Sequence, residues 1–303
     1  MLAALFLAVV LIWGTTWFAI HVQVGATRPD VAIFWRFLIA ALTMGAWLAL
    51  SGRLRRVPAR LHGWLAPMGA CMFSGNFLAI YDAETLLSSG MVSVIFSMAT
   101  LFNTLNQWLF FRRRPDGRGM AGGCVAILGV AVMTGVGQGG MGHGGAGHGG
   151  IDARGAGLAL FGTFLFSCGN MLSRRAAAAG TDLPNAVFRG MLWGCLFLAV
   201  RLLATGHGFA APADAAWIAA LLYLALPGSV VAFLAYLHLV HRIGADRAAY
   251  TTILSPAVAL IISVVCEGTR WTANMTLGIA LILLGNLVTF ARADRLLVLF
   301  CKP

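Results

Sequence analysis

Charge is scarce in this 303-residue chain: Asp, Glu, Lys and Arg together make up 10% of it, against about 25% in soluble globular domains. With 60% hydrophobic residues and a mean hydropathy of +0.86, that scarcity points to an all-α, polytopic membrane protein. Acidic groups are the rarer sign, 10 against 21 basic. None falls in the middle of an apolar run: Asp82, Glu84, Asp214 and Glu267 sit at run ends and Asp246 begins one. Proton pumps and coupled transporters commonly carry a buried carboxylate, so the absence favours a facilitator or exchanger, or coupling through groups at the rim. The formal charge of +11 is not gathered into a basic face with interleaved aromatics, so nucleic acid is not expected as a partner.

Paired cysteines are missing as well. Cys71, Cys124, Cys168, Cys195, Cys266 and Cys301 stand singly, without CxxC or disulfide-like spacing, and read as packing residues. No GxSxG or HExxH string occurs, and Tyr81–Asp82 has no GxGD partner for an intramembrane aspartyl protease, so no catalytic residue is assigned. The bundle interior offers no histidines or carboxylates for a divalent metal, and no metal or cofactor is implied. The first residues show no basic n-region and no small-residue cleavage site, so the opening run is expected to be a retained span.

What the chain does have is apolar runs. A hydrocarbon core about 30 Å thick is crossed by roughly 20 helical residues, and the runs divide accordingly. The expected spans are Leu2–Val22, Val31–Leu50, Trp64–Tyr81, Ser89–Phe111 and Gly119–Val136, then Gly155–Ser173, Asn185–Ala204, Ala215–His238, Asp246–Cys266 and Thr272–Ala291. Between the two sets lies Gly137–Gly150, with nine glycines and two histidines, His143 and His148. Such composition cannot bury enough apolar surface to hold a structure, so it reads as a linker. The chain thus divides into a first five-helix repeat (1–136), a Gly/His-rich linker (137–153) and a second five-helix repeat with a short tail (154–303).

Cytoplasmic loops retain Arg and Lys. With both termini cytoplasmic, fifteen of the 21 basic residues fall inside, in clusters such as Arg53, Arg55, Arg56 and Arg60 or Arg112, Arg113, Arg114 and Arg118. Only Arg28, Arg154 and Arg270 fall outside, which puts the linker on the external side of a cell inner membrane. Five spans per half is an odd number, so the halves are inverted. That is a transporter architecture with its site near the bilayer midplane.

Polar residues inside spans usually face the bundle interior. Ser93, Ser97, Thr100, Thr104 and Gln107 recur at helical spacing in the fourth span, and Thr251, Ser255 and Val258 in the ninth. Trp13, Thr16, Trp17 and Ile20 align on the first, Ser74, Phe77 and Tyr81 on the third, Ser167, Asn170 and Met171 on the sixth, and Phe233 and Tyr236 on the eighth. Isolated hydroxyls also serve ordinary helix packing; continuous stripes are hard to place against lipid. Trp13 and Trp17 are mid-span, where an indole can stack on an aromatic or cationic substrate. Trp35, Trp64, Trp217 and Trp271 lie near span ends and are expected in the interfacial belt. Arg36 and Arg189 each sit early in a span, where a guanidinium either snorkels to the interface or recognises a substrate carboxylate.

The strings IWGTTWFAI, RPDVAIFWRFLIAAL and HRIGADRAAYTTILSPAVALI resemble the EamA branch of the drug/metabolite transporter superfamily. The resemblance covers nearly the whole chain. It implies ten helices in two inverted halves and a central cavity formed mainly by the third, fourth, eighth and ninth helices, with help from the first and sixth. It also implies export of small metabolites. One departure is Met98 where the second half has Pro256, from which the fourth helix is expected to be straighter than the ninth. The expected function is export of small amphipathic metabolites, amino acids or related compounds, by alternating access. The expected partners are a small-molecule substrate and the lipid bilayer. The alternative is an intramembrane enzyme or lipid-modifying protein that uses the same polar interior.

Overall fold

The structure is a computed structural model that describes residues 2–112, 117–134, 152–243, 248, 250–269 and 271–290. The glycine linker with His143 and His148 lies outside the described residues, as do Asp246 and the C-terminal tail. Every regular element among the described residues is helical: α1 (Leu2–Gln23), α2 (Pro29–Leu50), α3 (His62–Ala70), α4 (Asn76–Glu84), α5 (Ser89–Phe96), α6 (Ala99–Phe111), α7 (Gly117–Thr134), α8 (Ala153–Ala178), α9 (Leu183–Ala204), α10 (Ala215–Tyr223), α11 (Ala232–Ile243), α12 (Tyr250–Cys266) and α13 (Ala273–Phe290). Among the described residues, six stretches are long and apolar enough to cross a bilayer, Leu2–Gln23, Pro29–Leu50, Gly117–Thr134, Ala153–Ala178, Leu183–Ala204 and Ala215–Tyr236, and α12 and most of α13 are shorter apolar helices. The protein is a polytopic, all-helical membrane protein.

Helix starts follow local chemistry. Proline stands at the beginning of both α2 and α9, where its missing N–H costs no helical bond. The α8 helix begins two residues before the apolar run it contains because Asp152 caps it, accepting from Arg154 N at 2.7 Å and Gly155 N at 3.3 Å. Asp214 starts α10 by accepting from Trp217 N at 2.9 Å. At the other end of α6, Arg112 takes a left-handed conformation at φ 56° and closes the helix.

Three irregular stretches interrupt the helices. A π-helical segment, Cys71–Gly75, joins α3 to α4, and a second, Leu224–Val231 with Pro227 inside it, joins α10 to α11. The third corrects an expectation: the fourth apolar run, expected to be the straighter one, is broken at Ser97 and Met98, whereas α12 carries Pro256 without a break. At the break the backbone tightens to bonds three residues back, Met98 N to Ile95 O at 3.0 Å, and serine side chains bond to backbone beside it. Ser93 Oγ donates to Gly90 O and Ser97 Oγ to Val94 O, both at 2.6 Å, three residues back, which competes with the helical ladder.

The packing is close. The α7 helix runs along α13, α2 along α9, and α12 along both α1 and α5; α1 also lies against α10 and α11, and α8 against α3, α4, α5 and α6. At the α7–α13 contact a Cβ on Gly129 would lie 2.6 Å from Gly278 O, so only glycine permits the approach. Such small-residue seams hold helices together where lipid removes the hydrophobic drive. Trp217 corrects the belt assignment. It is 1% exposed, sunk into protein rather than at a lipid interface, whereas Trp64 and Trp271 are exposed.

A central cavity with a buried arginine

The cavity encloses about 1800 Å³. Its wall is built from α1 (Trp13, Thr16, Trp17, Ile20), α2 (Arg36, Phe37), the π-segment after α3 with α4 (Met72, Phe73, Asn76, Phe77, Ile80), α5 and α6 (Ser93, Phe96, Ser97, Thr100, Asn103, Thr104, Gln107), α8 (Phe166, Asn170, Met171, Arg174), the second π-segment with α11 (Gly228, Ser229, Phe233, Tyr236) and α12 (Tyr250, Thr252, Ser255, Pro256). It extends to the bundle end where α6 and α8 finish and α7, α9 and α12 begin, with Gly117, Arg118, Arg174, Leu183 and Tyr250 around it. At the opposite end, polar contacts tie the helices together. Tyr81 Oη donates to Gln23 Oε1 at 2.9 Å, and Glu267 accepts from Ser89 N at 3.0 Å, from Ser89 Oγ and from Ser263 Oγ at 3.1 Å.

Of the candidate residues, Trp13, Thr16, Trp17, Arg36, Phe77, Ser93, Ser97, Thr100, Asn170, Phe233, Tyr236 and Ser255 all stand on this wall. The other four do not. Tyr81 is turned to Gln23. Ser167 is engaged in the α6–α8 seam, donating to Asn103 Oδ1 and accepting from Asn106 Nδ2, both at 2.9 Å. Thr251 returns its hydroxyl to Ala248 O at 2.8 Å. Ser74 is buried within the π-segment. The π turn shifts the register of everything before it relative to Phe77, so Ser74 and Phe77 do not share a face and Asn76 and Ile80 line the wall instead. Sequence reading passed over Asn103, although an asparagine in mid-run was signal enough. It also passed over the aromatic pair Phe96 and Phe166, whose rings lie 4.9 Å apart with Trp17 edge-on to Phe96 at 5.3 Å; nothing distinguishes those phenylalanines from core in the sequence.

Helix-to-helix polar links hold the wall in place. Asn286 on α13 donates from Nδ2 to Ser97 Oγ at 2.8 Å and accepts from Thr100 Oγ1 at 2.6 Å, which anchors the break between α5 and α6. Trp13 packs against Tyr236 with ring centroids 5.2 Å apart.

The electrostatic centre is Arg36. It is 5% exposed, so its guanidinium does not snorkel to the helix end. Cζ lies 4.5 Å from the Phe77 ring centroid and 5.2 Å from that of Phe37, a cation–π arrangement that partly replaces water. Nε donates to Ser229 Oγ at 3.3 Å, and Nη1 is buried with no hydrogen-bond partner. No carboxylate neutralises it within ion-pair distance among the described residues; the ion pairs there are Arg28 and Arg201 with Asp30, at 3.0 and 3.5 Å. A buried cation with a free N–H beside a cavity is a site for an anionic group, because a lone buried charge is otherwise expensive. Arg189 has no such position: it is half-buried over Phe188 at 5.1 Å and does not line the cavity.

A polytopic helical bundle around a large, polar-striped cavity with one buried cation has the form of a small-solute transporter. The chain belongs to the EamA-like transporter family, whose model matches residues 1–135 and 153–291. Among relatives, it is 28% identical to a probable terminal-alkyne amino-acid exporter of Streptantibioticus cattleyicolor, over 86% of this chain and 83% of that protein. It is 25% identical to a probable amino-acid metabolite efflux pump of Escherichia coli, over 92% and 91%, and 26% identical to the uncharacterized inner membrane transporter YedA of the same species, over 84% and 79%. A solved crystal structure matches with a TM-score of 0.62 at 20% identity, over 97% of this chain and 98% of that one, a likeness of fold.

Proposed function

We propose that the chain is an inner-membrane secondary transporter that exports small amphipathic metabolites, amino acids or related carboxylic acids, by alternating access through the central cavity. The observation that carries this reading is Arg36: a guanidinium on the cavity wall, desolvated, stacked on Phe77, and with Nη1 unengaged. A carboxylate is the common anionic group that such a fork recognises. The aromatic surfaces of Trp13, Trp17, Phe96 and Phe233 supply an apolar half, and Ser97, Thr100, Asn103 and Asn170 a polar half, which suits an amphipathic solute. The names of the exporter and efflux-pump relatives support the direction of transport.

We read the helices as ten spans in two inverted halves. Support comes from the contacts: α1 lies against α10, α11 and α12 as α8 lies against α3 to α6, and a π-segment interrupts the third span of each half. With the arginine clusters cytoplasmic, both termini face the cytoplasm, the linker is external and the cavity opens inward. All sixteen candidate residues are carried forward as the proposed solute path, the twelve on the wall as direct contacts and Ser74, Tyr81, Ser167 and Thr251 behind them.

The test is counterflow in proteoliposomes preloaded with unlabelled amino acids and challenged with labelled ones. Exchange of at least one carboxylate solute, reduced in a scan of Trp17, Ser97, Asn170, Tyr236 and Ser255 at unchanged protein level, is the expected result. A scan that left exchange intact would sink the assigned cavity, and no exchange across a broad panel of amino acids and related acids would sink the substrate class.

A further inference from the structure

The opposite, closed end of the cavity holds a second unexplained group. Glu84 is the last residue of α4, a position that sequence reading assigns to the rim, yet it is 4% exposed and neither carboxyl oxygen has a hydrogen-bond partner. Ser88 Oγ, four residues on, is likewise buried and unpartnered. Buried polar atoms are almost always satisfied, so a carboxyl with both oxygens idle asks for a ligand. The titratable and charged groups that face it are Tyr81 from its own helix, Arg36 from α2 and Glu267 from the end of α12. Tyr81 is spent on Gln23, and Arg36 gives its Nε to Ser229 and its face to Phe77. Asp82 looks elsewhere, toward Arg201 and Asp30.

Charge counting then decides. Two carboxylates, Glu84 and Glu267, share this region with one guanidinium. Glu267 is well supplied with donors by Ser89 and Ser263, the latter hydroxyl also 2.9 Å from Thr269 Oγ1. Glu84 has no donor at all. Leaving it ionised and unpartnered in protein interior is costly, and a bound cation removes that cost.

We infer that the closed end of the bundle contains a binding site for one monovalent cation, a proton or a sodium ion, centred on the Glu84 carboxyl and completed by the charge of Glu267. Apart from the Arg36 guanidinium, the side chains that face it, Tyr81 and Glu267, present oxygen. Opening of this end would hydrate Glu84 and release the cation, so the site is placed to tie ion occupancy to the transport cycle.

The experiment uses the purified wild-type chain in lipid nanodiscs, with infrared difference spectroscopy for a protonated carboxyl band and equilibrium binding of radioactive sodium as its two arms. A proton site gives a protonated-carboxyl band at neutral pH that vanishes in Glu84→Gln and is indifferent to replacing potassium by sodium. A sodium site gives saturable sodium binding that is lost in Glu84→Gln and weakened at least several-fold in Glu267→Gln. Wild-type protein that shows neither the band nor sodium binding overturns the inference without recourse to any variant. So does a signal that survives Glu84→Gln. Should Glu84→Gln fail to fold, Glu267→Gln decides: an unchanged band position and unchanged sodium affinity in that variant refute the shared site.

Discussion

Replacing Arg36 by methionine keeps the length and apolar body of the side chain while removing the charge and its donors. In the protein, Arg36 Nε holds Ser229 at 3.3 Å and Nη1 is free, so a bound carboxylate gains a charge-assisted hydrogen bond from a desolvated guanidinium. Such bonds contribute about 1.5–3 kcal/mol, which converts to roughly 10- to 150-fold in dissociation constant. The substitution also removes the stacking on Phe77, a stability term of about 0.5–2 kcal/mol; thermal unfolding of the empty protein reports that part separately. The assay is calorimetric binding of an exchanged amino acid and of its carboxamide, each to wild-type and R36M protein. The acid should lose affinity by the amount given and the amide hardly at all. Arg36→Lys should fall between, since a lysine keeps the charge but loses the fork and the flat face. Equal losses for acid and amide would refute a carboxylate at Arg36 and return the residue to a structural role.

Tyr81→Phe deletes the buried bond to Gln23 at the closed end, worth about 0.5–1.5 kcal/mol. External labelling of Ile20→Cys, in a background without other cysteines, should therefore rise roughly 2- to 12-fold. Gly129→Leu forces a side chain into the Gly278 backbone and should lower stability by about 1–3 kcal/mol; Gly63→Leu, where nothing lies within 4 Å, should not, and detergent melting curves compare the two. Changing both linker histidines, His143 and His148, to serine should leave counterflow unchanged, because a chain of that composition acts as a tether. Loss of transport there would mean that the imidazoles bind something.

How much of this was legible in the sequence depends on which physical rule governed each residue. Helical polarity patterns served well on the regular α1, where the whole face from Trp13 to Ile20 reaches the cavity wall, and the stripe from Ser93 to Gln107 reaches it too, despite the break between α5 and α6. They failed across the π-segment, where one widened turn separates Ser74 from Phe77, and they failed for Thr251, which is fully buried with its hydroxyl on Ala248 O. Arg36 was flagged, but its direction was not fixed, because whether a guanidinium snorkels or turns inward depends on partners from other helices. Those partners, Ser229 and Phe77, lie far away in sequence or across an irregular turn. Trp217 and Glu84 misled for a shared reason. Both stand near span ends, where sequence implies water or lipid headgroups, yet neighbouring helices cover them almost completely.

Proline shows the same dependence from another side. Pro256 lies in an unbroken helix, and the fourth apolar run, which has methionine at the matching place, is the one that breaks. At the break Ser97 bonds to the carbonyl three residues back and is held by Asn286 from α13. Pro227, in contrast, sits inside the π-segment before α11, and there Ser229 donates to Leu224 O, five residues back, at 2.8 Å. The same hydroxyl accepts from Arg36 Nε. The widened turn is therefore more than a flexible point: it sets the height at which Ser229 meets the guanidinium. The chain of cause runs from a proline off the cavity wall, through a helix turn with one residue too many, to the seat of the guanidinium on which the proposed recognition of a carboxylate rests.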